Sequence, residues 1–114
     1  MLAQQVIILT MSGSIQQLST TGIFTRNFVI QNDAASAADM YIGHTPSTNV
    51  LPTTLDATTA LYILSPGMSV EINESPRSQT KGEEYILSHW VVKGTASDKC
   101  RVTYVTRRTA ATPT

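Results

Sequence analysis

The stretch "LYILSPGMSVEI", residues 61–72, decides the fold class, because two runs of alternating apolar residues meet in it at Pro66-Gly67. Alternation with a period of two is typical of strands that bury one face, so each run predicts a short β-strand. Proline followed by glycine at the centre of a turn favours a type II turn, which splays its flanking strands, whereas tight hairpins prefer the mirror-image turns. We therefore expect the two strands to lie in different sheets, with Pro66-Gly67 at the corner.

Short strands are predicted along most of the chain. Besides the two runs around the corner, strand patterns occur at Val6–Leu9, Ile15–Leu18, Ile23–Gln31, Met40–Gly43, Glu84–Lys93 and Lys99–Thr106. A series of seven or eight short strands separated by turns is typical of two packed antiparallel sheets. The sequence therefore predicts an all-β protein, a single-domain β-sandwich of jelly-roll or Ig-like type.

The connections between these strands differ in length and composition. "NDAASAAD", residues 32–39, is too short for a stable helix and predicts a connection with at most one helical turn. "GTASD", residues 94–98, predicts a hairpin loop between the last two strands, whereas residues 44–60 form a long irregular connection. The expected organisation is an N-terminal strand or arm over 1–22, the β-sandwich over 23–106 and a flexible C-terminal tail over 107–114.

The chain carries few charges, and they are unevenly placed. Only 14% of its residues are charged, against about 25% in ordinary domains, and charged residues are depleted where partners cover a surface. Residues 1–92 hold three basic and seven acidic side chains, a net charge of −4, and residues 93–114 hold five basic and one acidic, a net charge of +4. This polarity favours head-to-tail docking or an acidic partner, although ordinary solvated charges also explain it.

Nucleic-acid and membrane binding are not expected. The overall net charge is zero, and Tyr104 is the only aromatic residue near the basic positions, whereas stacking platforms need several rings. No stretch approaches the roughly 20 apolar residues of a membrane helix. The apolar run in "MLAQQVIILT" is preceded by no basic residue and is shorter than a signal-peptide core, so no export signal is predicted.

Reactive residues occur in no pattern that predicts catalysis. Cys100 is the single cysteine and shares a strand face with apolar residues, which predicts a buried, inert thiol. His44 and His89 do not have the spacing of a metal site. Glu83 and Glu84 are adjacent and point to opposite faces of an extended strand, so they cannot act as a facing acid–base pair. No catalytic residue, metal site or cofactor is predicted, and an enzyme is not expected.

The candidate functional residues are therefore ones that contact other proteins. The run Val6, Ile7, Ile8 and Leu9 either adds as a strand to a neighbour or pairs within its own sheet. Trp90 is either a partly exposed interface anchor or a core residue, because Ile86 and Val92 share its predicted face. The basic pair Arg107 and Arg108 completes this set.

Five short motifs carry a resemblance to a known class of proteins. They are "FVIQN" (28–32), "MYIG" (40–43), "LSPGMSVEI" (64–72), "EYILSHW" (84–90) and "RVTYV" (101–105). In this order, over residues 26–106, they resemble small β-sandwich virion proteins of tailed bacteriophages, of the capsid decoration (cement) type. The resemblance implies a homotrimer that binds the major capsid protein lattice on the capsid surface after assembly in the host cytoplasm. It transfers no individual functional residue.

Two other functions are compatible with the same sequence. A tail, fibre or head–tail connector module would bind host glycans through residues 44–60. A lectin-like domain outside any phage would use exposed aromatic residues, and residues 44–60 contain none.

Overall fold

The protein is built from short antiparallel strands. The computed structural model describes residues 4–45, 51–73, 85–105 and 108–109. Within these ranges a single 3-10 turn, Leu87–His89, is the only helical element. The strands are β1 (Gln4–Thr10), β2 (Gln16–Gln17), β3 (Ile23–Thr25), β4 (Asn27–Asn32), β5 (Met40–His44), β6 (Tyr62–Leu64), β7 (Ser69–Asn73), β8 (Tyr85–Ile86), β9 (Trp90–Lys93), β10 (Lys99–Val105) and β11 (Arg108–Thr109).

These strands form two four-stranded sheets and one smaller sheet. Sheet A has the order β1-β10-β4-β7, sheet B the order β2-β9-β5-β6, and sheet C the order β11-β3-β8, with every pairing antiparallel. The predicted all-β sandwich is confirmed. The described residues contain more strands than the seven or eight expected, because Ile23–Gln31 and Glu84–Lys93 are each divided into two strands and β11, with only two residues, leaves no periodic signal.

The pairing of the eight main strands is nested, like a folded ribbon. β1 pairs with β10, β2 with β9, β4 with β7, and β5 with β6. The first and third of these pairs lie in sheet A, and the second and fourth lie in sheet B. This alternation is the jelly-roll arrangement of two Greek keys. An Ig-like sandwich keeps successive strands such as A and B, or F and G, in one sheet, so the structure selects the jelly roll from the two predicted types.

The corner at Pro66-Gly67 is confirmed. β6 belongs to sheet B and β7 to sheet A, so the chain changes layer between them. The backbone N–H of Met68 donates to the Ser65 carbonyl at 2.8 Å, and Gly67 has a φ of 87°. These are the hydrogen bond and the left-handed third position of a type II turn. Beyond the corner, Val70 and Ile72 face inwards while Ser69 and Glu71 are exposed.

The predicted hairpin at residues 94–98 is wrong. This connection leaves β9 in sheet B and enters β10 in sheet A, so it is a second crossover between the layers. Met11, in the neighbouring crossover from β1 to β2, donates its N–H to the Asp98 carbonyl and accepts from the N–H of Ser97. The backbone pairing of β1 with β10 thus continues into the two crossover loops. A loop with the length of a hairpin therefore joins two different sheets.

Two predicted strands are each divided between sheets. Ile23–Gln31 is interrupted at Arg26, where the Thr25 hydroxyl donates to the Asn27 carbonyl at 2.7 Å. Glu84–Lys93 is interrupted by the 3-10 turn, whose consecutive residues Leu87 and Ser88 are both buried. A strand cannot bury two neighbouring side chains on one side, so the turn rotates the chain from sheet C into sheet B.

Two buried polar side chains fasten the crossovers at one end of the sandwich. The Asn32 amide nitrogen donates to the carbonyls of Ala38, at 3.0 Å, and Leu64, at 2.8 Å. The Asp98 carboxylate accepts from the backbone N–H groups of Ala37 and Ala38. Residues 32–39 are accordingly held as a turn, without the helical turn that alanine content allows.

The core lies between sheets A and B. Its buried members are Met11, Leu18, Phe28, Ile30, Met40, Ile42, Leu64, Ile72, Leu87, Trp90, Val92, Cys100, Val102 and Tyr104. Alternate residues of β4 and β10 are buried and supply one wall of the core: Phe28, Ile30 and Asn32 on β4, and Cys100, Val102 and Tyr104 on β10. This interior makes the sandwich a packed block, so the surfaces on its strand edges are held in fixed positions.

The terminal segments are joined to the sheets. β1 and β2 are strands of sheets A and B, so the described part of residues 1–22 is built into the sandwich instead of standing apart as an arm. Of the predicted tail over 107–114, Arg108–Thr109 pairs with β3, and the remainder lies outside the described residues. The described ranges contain no helix long and apolar enough to cross a membrane.

Candidate interaction surfaces

β1 forms one edge of sheet A and carries four of the predicted contact residues. It pairs with β10 over its full length, from Gln4 opposite Val105 to Thr10 opposite Lys99. Val6–Leu9 therefore pairs within its own sheet. Among the described residues no strand pairs with the other side of β1. An additional strand can reach β1 from that side, where its backbone N–H and C=O groups have no strand partner.

The side chains of β1 divide between two faces. Val6 and Ile8 point outwards and are 47% and 58% exposed, whereas Ile7 and Leu9 point inwards and pack against the core. The outer pair lies beside Thr103 and Arg101 of β10. Two of the four predicted residues are thus available to a partner, and the other two help to hold the strand in place.

An apolar cleft opens between the edges of β1 and β2. It measures about 450 Å³ and is lined by Ile7, Leu9, Gln16, Gln17, Leu18, Ser19, Thr20 and Leu51. The Gln17 amide donates to the Ser88 carbonyl at 3.0 Å, which holds the rim against the 3-10 turn. Leu51 is an exposed residue of the long connection before β6. The cleft continues the apolar edge of β1 into the gap between the sheets.

The opposite side of the sandwich has a second apolar surface, which the sequence analysis did not predict. It consists of exposed residues on and beside β6 and β7, namely Leu61, Tyr62, Ile63 and Met68. β6 is the last strand of sheet B and β7 the last strand of sheet A. Residues 61–64 were expected to bury one face. At a sheet edge both faces of a strand lie close to solvent, so these side chains remain exposed. The three consecutive apolar residues before Leu64 break the alternation of a half-buried strand, and this pattern could have predicted an apolar surface.

Trp90 belongs to the core and is no surface anchor. Its side chain is only 7% exposed, and its ring meets the ring of Phe28 edge to face. A partner cannot reach a residue that packs between the sheets, so the interpretation of Trp90 as an interface anchor is wrong. Of the predicted basic pair, Arg107 lies outside the described residues, and Arg108 is described only as backbone of β11.

A charged depression lies on the outer face of sheet A. It measures about 420 Å³ and is lined by Ile8, Gln31, Asp33, Ala34, Lys99 and Arg101. The Lys99 ammonium donates to the Thr10 hydroxyl at 2.7 Å, which holds its charge near β1. Two cationic groups face one carboxylate here. The depression therefore suits a partner surface that presents carboxylates beside apolar groups.

Two histidines that are distant in sequence meet at the end of sheet B. The ring centroids of His44 and His89 are 6.2 Å apart, and those of His44 and Trp90 are 5.1 Å apart. Partial burial and the neighbouring His89 both lower the pKa of His44. Among the described residues, no three histidine, cysteine or acidic side chains lie close enough together to hold a metal ion.

Cys100 is buried, as predicted. Its side chain is fully covered by the core, and burial raises the pKa of the thiol to about 12. The thiolate is the reactive form of cysteine, so this residue is inert at neutral pH while the protein is folded. Glu83 and Glu84 lie outside the described residues.

Comparisons with known proteins provide little information. No protein-family model matches the chain, and neither does any curated protein sequence. Among solved structures, the chain is similar to a Bacillus protein described under the words "Bacillus endospore appendages form a novel family of disulfide-linked pili". The two share 8% identity with a TM-score of 0.44, over 93% of this chain and 88% of the other. A likeness at this level carries no conclusion about function.

Proposed function

We propose that this protein is a structural virion protein that decorates and stabilises a phage capsid by binding the major capsid protein lattice. The observation that carries the proposal is the position of the exposed apolar residues. In the described ranges, the large ones lie on the strand edges or in the connections beside them. A rigid block with adhesive edges and an inert thiol suits a protein that holds other subunits together.

The outer face of sheet A is the proposed docking surface for the capsid. Ile8 supplies apolar area, and Lys99 and Arg101 supply positive charge beside it. A homotrimer would present three copies of this surface to a symmetric site on the shell. Linked copies bind with an avidity far above that of one copy, so each individual contact can remain modest.

Capsids that lack the protein provide the test. Purified protein added at micromolar concentration is expected to co-sediment with them and to raise their resistance to heat or osmotic shock. Reversing both charges, in Lys99→Glu with Arg101→Glu, is expected to weaken co-sedimentation by about tenfold or more, because like charges then face the docking site. Lys93→Glu, on β9 of sheet B, is the control for Lys99→Glu alone, since each changes the net charge by the same amount. Absence of wild-type co-sedimentation would contradict the proposal.

No specific observation favours glycan binding by a tail or fibre module. In the described part of the long connection, Leu55 is buried against Gly43 and Val91 on the outer face of sheet B. A glycan-array signal that disappears when residues 44–60 are shortened would replace capsid decoration by receptor binding.

A further inference from the structure

Within the part of the chain that the structure describes, the large exposed apolar residues fall into two groups on opposite sides of the sandwich. Val6, Ile8 and Leu51 lie on the side formed by the edges of β1 and β2, here named the β1 side. Leu61, Tyr62, Ile63 and Met68 lie on the side formed by the edges of β6 and β7, here named the β6 side. The two sides are the two ends of the strand orders of sheets A and B.

The β1 edge lacks the features that normally prevent strand addition. Natural proteins protect edge strands by making them short, by charges, or by proline. β1 has seven residues, "QQVIILT", and contains no charged residue and no proline. An added strand pairs with a whole row of backbone N–H and C=O groups at once, so an edge of this kind suits strand addition.

The direction of the strands allows one copy to continue the sheets of another. Sheets A and B each contain four strands in antiparallel succession, so β1 runs opposite to β7, and β2 runs opposite to β6. A second copy placed alongside without being turned over therefore brings its β7 antiparallel to β1, and its β6 antiparallel to β2. Both sheets can be extended at the same time.

The charges on the outer face of sheet A are complementary in the same arrangement. Glu71 lies outwards on β7, while Arg101 and Lys99 lie outwards on β10, next to β1. In a head-to-tail contact, Glu71 of one copy lies two strand spacings, about 10 Å, from the β10 cations of its neighbour. If two β1 edges met instead, Lys99 and Arg101 of one copy would approach the same cations of the other copy, which is repulsive. Such a contact would also leave the β6 side uncovered.

We propose that copies of this chain associate head to tail, with the β1 side of one copy against the β6 side of the next. Of the large exposed apolar residues in the described ranges, the arrangement places both groups on the strand edges that meet. It deepens the proposed function by naming the neighbour of β1 as a second copy. A head-to-tail contact that closes forms a ring, and one that does not close forms an open filament.

Oligomeric state measured on the full chain tests this contact. Sedimentation velocity or light scattering is expected to show wild-type particles well above the monomer mass of 12.4 kDa. Ile8→Glu disrupts the β1 side, because its carboxylate then lies beside Glu71 of the neighbouring copy, and Ile63→Lys disrupts the β6 side, because it places an ammonium group in an apolar contact. Each is expected to raise the dissociation constant about tenfold or more. Both positions are exposed, so both variants should fold. Thr95→Lys, on an end loop, is the control and should associate like the wild type.

Mixing the two variants is the decisive measurement. Each keeps one intact side, so an equimolar mixture of Ile8→Glu and Ile63→Lys is expected to form a two-copy complex that neither forms alone. A wild-type monomer at all concentrations, an Ile63→Lys variant that still associates, or a mixture that stays monomeric would each overturn the proposal. The capsid assay distinguishes the two proposals. A wild-type monomer that co-sediments with capsids would contradict only the head-to-tail contact. A wild-type oligomer that does not co-sediment would contradict only the proposed function.

Discussion

The rings of Phe28 and Trp90 meet edge to face, with their centroids 5.4 Å apart and their planes at 74°. Phe28 lies on β4 of sheet A and Trp90 on β9 of sheet B, so this contact joins the two layers. Aromatic pairs in this geometry contribute about 0.5–1.5 kcal/mol beyond the area they bury. The single tryptophan therefore stabilises the sandwich that presents the strand edges.

Replacing Trp90 with alanine should lower the free energy of unfolding by about 3–5 kcal/mol, because a large buried ring is removed from the core. Chemical denaturation followed by circular dichroism measures the change. Leu61→Ala is the control, since this exposed side chain should cost less than about 1 kcal/mol. A Trp90→Ala variant of normal stability that failed to bind capsids would restore the interpretation of Trp90 as an anchor.

Gly67→Ala should destabilise the fold by about 1–2 kcal/mol, because an alanine at a φ of 87° adopts the left-handed conformation that glycine tolerates. An added Cβ meets only ordinary contacts, 3.8 Å from the Ala34 Cβ, so the cost comes from the backbone. Gly67→Asn is the matched variant and should lose less stability, since asparagine visits this region more readily. Equal losses in thermal denaturation would contradict a backbone origin.

Asn32→Ala should cost about 2–4 kcal/mol of folding free energy, because two carbonyls at the sheet corner lose their donor and one buried site loses volume. Asn32→Asp should cost more at neutral pH, since a carboxylate there faces the oxygens of Ala38 and Leu64. Asn27→Ala, at an exposed position of the same strand, is the control for strand propensity. A higher denaturant midpoint for Asn32→Asp than for Asn32→Ala would be inconsistent with this hydrogen-bond assignment.

Acidification should reduce stability through His44. Its pKa is lowered in the folded protein, first by burial and second by His89, so the folded state binds a proton less readily than the unfolded chain. The stability it preserves is full above pH 6.5 and declines as the pH falls below that value. The thermal midpoint of His44→Gln should therefore change less between pH 7.5 and 5.5 (about one unit either side of the ordinary histidine pKa) than that of the wild type. A wild-type midpoint that rises on acidification would refute the assigned direction.

Local patterns in the sequence were sufficient for several features. The alternation in residues 68–72 placed Val70 and Ile72 inside, whereas Met68, predicted on the same face, is 51% exposed beside the corner. Pro66-Gly67 was identified as a change of sheet, because turn type depends on neighbouring residues alone. The burial of Cys100 followed from the same alternation. These predictions hold because a strand must alternate its side chains wherever it pairs.

Features that depend on distant pairing could not be predicted in this way. The loop at residues 94–98 has the length of a hairpin, and only the pairing of β9 with β5 and of β10 with β1 makes it a crossover. Likewise, nothing local distinguishes Trp90 in the core from an exposed tryptophan, or places His44 beside His89.

The sequence by itself determined that this chain is a small all-β sandwich with a sheet change at Pro66-Gly67, since backbone geometry and apolar alternation are local properties. Only the tertiary structure decided that the strands nest as a jelly roll, and that β1 and β6 are edges with exposed apolar side chains. The physical reason is that a strand pattern states which face is apolar, whereas the neighbours that cover that face come from elsewhere in the chain.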